Sequence, residues 1–166
     1  MSKTSAGLLM YRLRDKELQV LLVHPGGPFW KQKDEGAWFI PKGELNPGED
    51  PLAGAKREFA EETSCTAEGE FVALGSVRQK SGKTIFAWAF AGDCKPAELK
   101  SNTFTIEWPP RSGRQQEFPE VDRAEFFTIG RAQQKMHPVE FPFVTRLQQI
   151  LSGAGAAAVA STEASG

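Results

Sequence analysis

The stretch "REFAEET" (57–63) carries three carboxylates within two turns of what reads as a helix. Glu58, Glu61 and Glu62 stand at i, i+3 and i+4, so their side chains leave one face as near neighbours. At an effective dielectric of about 20 and a separation of about 5.5 Å, each like-charged pair costs up to roughly 3 kcal/mol before solvent screening. An isolated acidic cluster is ordinarily a solvated face, but this one follows "PKGELNPGED" (41–50), where Gly43 and Gly48 permit a tight loop running into the helix. Hard oxygen ligands gathered beside a loop suit Mg²⁺ or Mn²⁺, which keep several waters and favour phosphate-bearing substrates. Glu49, one loop-plus-helix element ahead of Arg57, is placed to pair with it.

The elements around this stretch must position it. Asp50 as N-cap and Pro51 at the first helical position predict a helix start, running to about Thr63, with Gly54 a local weakness of about 1 kcal/mol against Ala. At helical spacing Leu52, Ala55 and Phe59 form a core-facing stripe, with the glutamates to one side and Glu62 next to its apolar edge. Such carboxylates line the floor of a cleft. The runs 5–13 and 18–24 around "RDKE" predict a hairpin, 25–36 a loop, and "AWFIPKG" (37–43) a short strand stopping at Pro41 and Gly43. Two strands are expected over 69–79 and 83–92, joined by "KSG", and a further strand over 119–129. Residues 93–118, with Pro109-Pro110, read as a long irregular segment of the kind that is functional or disordered. A short helix (129–136) and a final helix (138–151) follow, the latter with Val139, Phe143, Leu147 and Ile150 at helical spacing. The expectation is one mixed α/β domain over 1–151 and a low-complexity tail, 152–166, that is disordered.

Composition narrows the partners. The chain has 166 residues, 40% apolar and 25% charged, and a net charge of −1, so no global field attracts DNA or an anionic membrane. No apolar run approaches the about 20 residues of a membrane span, and the first residues lack a secretory core with a cleavage site. Cys65 and Cys94 have no metal-site spacing and read as reduced and structural, which makes a cytoplasmic setting the default expectation. Oligomeric state leaves no trace in the sequence.

Residues 43–65 resemble the Nudix box, the pattern of hydrolases that cleave nucleoside diphosphates linked to another moiety. Gly43, Glu49, Arg57, Glu58, Phe59, Glu61, Glu62 and Cys65 fall at matching places, and Ser64 stands where the pattern has glycine. A serine held left-handed there costs about 1–2 kcal/mol, so the loop after the helix is expected to differ. The resemblance implies an α/β/α sandwich around a mixed β-sheet. It also implies that Glu58, Glu61 and Glu62, with the carbonyl of Gly43, bind Mg²⁺ or Mn²⁺. Metals there neutralise phosphate oxygens and acidify a water that attacks phosphorus. The proton goes to Glu58 or Glu61, or to a later glutamate, for which Glu120 is the candidate and Glu117 the competitor. Arg57 and Glu49 would be architectural, and Lys42 would meet phosphate as a point charge.

The stretch "WFIPKGELNPGEDPLAGAKRE" (38–58) is similar to enzymes hydrolysing diadenosine polyphosphates, as is "KTIFAWAF" (83–90), which makes Lys83 a second phosphate candidate. Trp30, Phe39, Trp108 and Phe118 are the candidate stacking surfaces for bases, whereas Phe86, Trp88, Phe126 and Phe127 read as core. His24 and His137 read as structural or exposed. The leading expectation is a hydrolase acting on a small-molecule nucleotide, a dinucleoside polyphosphate. The alternatives are an RNA 5′-pyrophosphohydrolase, disfavoured by the lack of a basic stripe, and a non-catalytic nucleotide-binding module, disfavoured by the intact carboxylates.

Overall fold

Strands β1 (Thr4–Arg14) and β2 (Glu17–Pro25) form the expected antiparallel hairpin, turned by Asp15 and Lys16 at positive φ (55° and 69°). Both central residues left-handed is the arrangement that matches the right-handed twist of the strands. A computed structural model describes residues 3–156, with side chains to 153. The further elements are β3 (Lys42–Glu44), α1 (Pro51–Thr63), β4 (Val72–Arg78), β5 (Thr84–Ala91), β6 (Thr103–Glu107), β7 (Gln115–Pro119), β8 (Val121–Thr128), α2 (Ile129–Lys135) and α3 (Phe141–Ala156).

The main sheet runs β4-β5-β1-β2-β8, with β3 also paired to β1. The β1–β5 pair is parallel and the other pairs are antiparallel, so the sheet is mixed. Period-two alternation sends Leu9, Val20, Leu22, Ile85 and Ala87 to one face and Ala6, Leu8, Met10, Leu21 and Phe90 to the other. The first face packs on Ala132 of α2 and on Phe143, Val144 and Leu147 of α3; the second packs on Ala55 and Phe59 of α1. Helices on both faces make an α/β/α sandwich, with α1 alone on the second face. Phe127 is core, and Trp88 and Phe126 lie against the α1 side, but Phe86 is only partly buried and outside both clusters. Cys65 and Cys94 are both free and partly buried beside the α1 cluster. The Cys94 thiol is pushed up to about 12 by burial and then by its neighbour Cys65.

Three expectations change. Residues 37–41 are not a strand: they carry isolated bridges from Phe39 to Val23 and from Trp38 to Met136, and the ladder to β1 begins at Lys42, next to Pro41, whose carbonyl accepts the Leu8 N–H at 3.1 Å but which has no N–H to give. The strand then passes through Gly43 instead of stopping there. Residues 93–118 are not irregular throughout, since β6 and most of β7 form a separate two-stranded sheet after a 3-10 turn at Pro96–Glu98. The last helix starts three residues later than 138 and runs to Ala156, past the expected boundary at 151. The remainder of the tail, 157–166, lies outside the described residues. Among the described residues no helix is long and apolar enough to cross a membrane.

Candidate active site

The loop before α1 is locked to the helix by its own charges. Asp50 caps the helix, its Oδ2 accepting the Ala53 N–H at 3.0 Å. Glu49 accepts from Arg57 Nε and Nη2 at 2.9 Å each and from the Asn46 N–H at 2.9 Å. Those donors hold its carboxyl down at about 2, with Arg57 the larger cause. Gly54 is more than a weak point in the helix: a Cβ there would stand 2.3 Å from Leu45 Cδ2 and 3.0 Å from Glu49 Cδ, so a larger residue would force those loop side chains to shift. The third guanidinium nitrogen, Arg57 Nη1, donates to Glu58 Oε2 at 2.8 Å and reaches Glu61 Oε2 at 3.4 Å. Arg57 thus supplies part of the positive charge that the glutamate face requires.

On the other side of the glutamates lies a cleft of about 270 Å³ lined by Val23, Pro25, Trp30, Phe39, Ile40, Lys42, Glu62, Glu120 and Val121. Burial pushes the Glu62 carboxyl up to about 8, and the Glu58 and Glu120 carboxylates push it the same way against the pull of Lys42. Glu58 is raised by burial first, with Glu61 and Glu120 adding to it and Arg57 opposing. Glu120 is raised by burial and by Glu61. Four carboxylates therefore lie within one another's field, and the cations touching them are Arg57 and Lys42. Both are already engaged elsewhere, Arg57 by Glu49 and Lys42 by Glu140. The group is short of positive charge.

Would a divalent cation fit? Gly43 lies directly against the glutamates: a Cβ on it would meet Glu58 Oε1 at 2.0 Å, so any larger residue would displace that carboxylate. The donors are carboxylates beside an open cleft, the set that hard cations take with water completing the shell. Among the described residues no three His, Cys, Asp or Glu side chains stand in a ready-made ligand cage. The donor chemistry fits an ion that arrives with waters and substrate oxygens, and it does not fit an all-protein cage.

Lys42 has a partner that sequence reasoning missed. Glu140, just before α3, is fully buried at 0% exposure, its Oε1 accepting the Ile40 N–H at 2.9 Å and its Oε2 lying 2.8 Å from Lys42 Nζ. The contact is a short ion pair, with the carboxylate 1% and the ammonium side chain 17% exposed. Lys42 also sits 4.5 Å from the centroid of Phe39, and its N–H donates to Glu62 Oε1 at 3.2 Å. The one available signal was a charged residue inside the apolar run "PVEFPF".

The other candidates divide by location. Glu120 lines the cleft, whereas Glu117 is exposed on β7 and accepts from the Thr103 hydroxyl. Lys83 does not line the cleft and stands 3.7 Å from Glu44 Oε2. Phe39 does line it, but its ring is stacked on His137 at 5.3 Å and takes Trp30 edge-on at 5.5 Å. Trp108 and Phe118 line a different cavity. His24 is buried and bridges Asp122 Oδ1 (2.8 Å) to the Lys33 carbonyl (2.6 Å), a structural place as expected. Ser64 does adopt the left-handed conformation (φ 62°) that glycine favours. Its hydroxyl donates to the Thr63 carbonyl and accepts the Lys100 N–H at 3.2 Å, contacts that offset the strain.

The sequence model of the NUDIX domain matches residues 1–147. No curated protein matches the chain. Among solved structures, the NUDIX domain of Shewanella oneidensis NrtR complexed with ADP ribose superposes with a TM-score of 0.64 at 15% identity, covering 91% of this chain and 89% of that one. A C. elegans Ap4A hydrolase binary complex superposes at 0.59 with 20% identity, covering 91% and 98%. A mutT/nudix family protein from Listeria innocua gives 0.60 at 14% identity, covering 91% and 94%. At such identities the superpositions speak for the fold, and the matched sequence model speaks for the family.

Proposed function

The chain belongs to the NUDIX family, and on that premise we propose that it is a pyrophosphohydrolase whose substrates are dinucleoside polyphosphates. The observation that carries this reading is the charge imbalance of the cleft. Half-buried Glu62 and Glu120 line the open pocket, Glu58 and Glu61 stand beside them on α1, and the two cations that touch the group are already committed to Glu49 and Glu140. Perturbed carboxylates in a cleft are what acid–base and metal-assisted chemistry require.

In this reading Glu58, Glu61 and Glu62, with Gly43 beside them, hold Mg²⁺ or Mn²⁺. When bound, such an ion neutralises phosphate oxygens and makes water a stronger nucleophile. Arg57 and Glu49 keep the glutamate face and the loop in register. Lys42, steadied by Glu140, meets the polyphosphate as a fixed point charge. Glu120 accepts the proton of the attacking water: it lines the cleft, and its raised pKa makes it a better base than an ordinary glutamate. Glu58 and Glu61 are the alternative acceptors. The apolar wall of Val23, Trp30, Ile40 and Val121 excludes water from one side. The dinucleoside choice rests on the "WFIPKG" and "NPGED" stretches and on likeness in fold to the C. elegans Ap4A hydrolase.

The test is a substrate panel with Mg²⁺: dinucleoside polyphosphates, nucleotide sugars, free triphosphates and 5′-triphosphorylated RNA, with products resolved by chromatography. Asymmetric cleavage of a dinucleoside tetraphosphate to a triphosphate and a monophosphate is expected. Release from RNA alone overturns the substrate choice, and no release from any compound overturns the enzyme.

A further inference from the structure

We infer that the cavity between the loop at 27–31 and the β6–β7 hairpin is a second nucleoside subsite. It takes the nucleoside at the end of the polyphosphate remote from the one in the carboxylate cleft. The inference rests on the reading above, that the substrate carries two nucleosides.

The cavity measures about 550 Å³, about twice the 270 Å³ of the cleft, and is lined by Gly27, Pro28, Lys31, Trp108, Gln116, Phe118, Pro119 and Asp122. That volume lies in the range of small-molecule sites, about 300–1,000 Å³. Its walls alternate with those of the cleft along the same two stretches of chain. Pro25 and Trp30 line the cleft while Gly27, Pro28 and Lys31 line the cavity; Glu120 and Val121 line the cleft while Pro119 and Asp122 line the cavity. The two stretches are tied to each other and to the hairpin: the Gly26 N–H donates to the Glu120 carbonyl at 3.0 Å, and the Glu120 N–H to the Asn102 carbonyl at 2.8 Å. A chain of phosphates leaving the cleft over this rim enters the cavity next.

The lining has the chemistry of nucleoside recognition. Trp108 is at the hairpin tip, its backbone held from both sides: its N–H donates to the Arg114 carbonyl at 2.9 Å, and its carbonyl accepts from Gln116 Nε2 at 2.8 Å. Its ring meets Phe29 edge-on at 5.2 Å, and Phe29 is 62% exposed, one of three large apolar side chains left in solvent among the described residues. Half-buried Trp108 on a pinned backbone, edged by the exposed Phe29, offers a ring on which a base can stack. Lys31 supplies a cation for the nearest phosphate, and Asp122 and Gln116 supply acceptors for ribose hydroxyls or an exocyclic amine. The geometry also separates the two aromatic groups: Trp30 and Phe39 serve the cleft, and Trp108 and Phe118 serve the cavity.

The full chain with Mg²⁺ is given two substrates of equal charge, diadenosine tetraphosphate and adenosine tetraphosphate capped by a methyl ester, and the ratio of their kcat/KM values is read. The expected ratio favours the dinucleoside by about tenfold or more, the worth of one stacked base. Trp108→Ala collapses that ratio toward one through KM, Phe29→Ala reduces it, and Trp108→Phe restores most of it. A wild-type ratio near one overturns the subsite, as does a ratio that Trp108→Ala and Phe29→Ala both leave standing. Dissociation constants for the methylene-bridged analogues of the same two compounds keep the result independent of turnover. If neither compound is hydrolysed, the functional reading falls while the ratio of dissociation constants still decides the subsite.

Discussion

On the loop side of α1, Glu49 shares both oxygens with Arg57 and a third donor from Asn46, and its carboxyl falls to about 2. On the cleft side, one turn after the shared Arg57, Glu62 has one backbone N–H and the field of Lys42 against burial and two other glutamates, and its carboxyl climbs to about 8. Both residues are glutamates of the same sequence motif. Paired charge on the loop side fixes the frame, whereas burial and like charge on the cleft side make Glu62 hold its proton. The fold tolerates the second because the first holds Arg57 where it can steady Glu58 as well.

That contrast breaks first at Glu61. Glu61→Gln is expected to cut turnover by orders of magnitude while circular dichroism and the melting temperature stay near wild type. Glu49→Gln should do the reverse, lowering the melting temperature more than it lowers turnover. Next in size is Glu140→Ala, which leaves Lys42 and the Ile40 N–H without their buried partner. Removing one member of a buried pair costs about 3–5 kcal/mol, so urea unfolding should show a loss of that order, with Glu140→Gln losing less.

A smaller effect distinguishes the two sides by pH. The Glu49 carboxyl lies below its ordinary 4.5, so the folded state binds its proton less readily than the unfolded chain does. Its contribution to stability is present above pH 4.5 and is lost as pH falls toward 2. Glu62 has the opposite sign: the folded state keeps a proton that the unfolded chain releases, so with chelator present stability falls as pH rises from 4.5 to 8. Melting curves across this range should show that slope in the wild type, and Glu62→Gln should flatten it. Smallest is the helix end. Ser64→Ala keeps the left-handed strain but loses the hydroxyl contacts, and Ser64→Gly loses the contacts while relieving the strain. The glycine variant should be the more stable of the two by about 1 kcal/mol in denaturant unfolding.

The parts of the molecule legible in the sequence are those in which structure is local. The N-cap at Asp50, the helix to Thr63 and the Glu49–Arg57 pair all follow from residues within one loop and one helix. The alternating strands and the mixed sandwich follow from hydrophobic period and from the Nudix-box resemblance. The β6–β7 hairpin was hard to read because the alternation of Thr103–Glu107 lasts only five residues and its partner Gln115–Pro119 opens with three exposed polar residues, so the apolar side chains Phe104, Ile106 and Phe118 are only half-buried. The segment 37–41 looks like a strand by composition, but Pro41 breaks the ladder that composition alone suggests. Glu140 was illegible for a different reason. Its partners Ile40 and Lys42 lie about a hundred residues away, and only the packing of α3 against the sheet brings them together.

The proposal turns on whether Glu58, Glu61 and Glu62 bind a divalent cation, and titration with Mn²⁺ followed by electron paramagnetic resonance tests it most directly. Saturable binding to the wild type, tighter at pH 8.5 than at pH 6 and lost in Glu58→Gln and Glu61→Gln but kept in Glu49→Gln, is the predicted result. Free Mn²⁺ signal undiminished by the wild-type protein at any ratio, or binding that Glu58→Gln and Glu61→Gln leave intact, would contradict it.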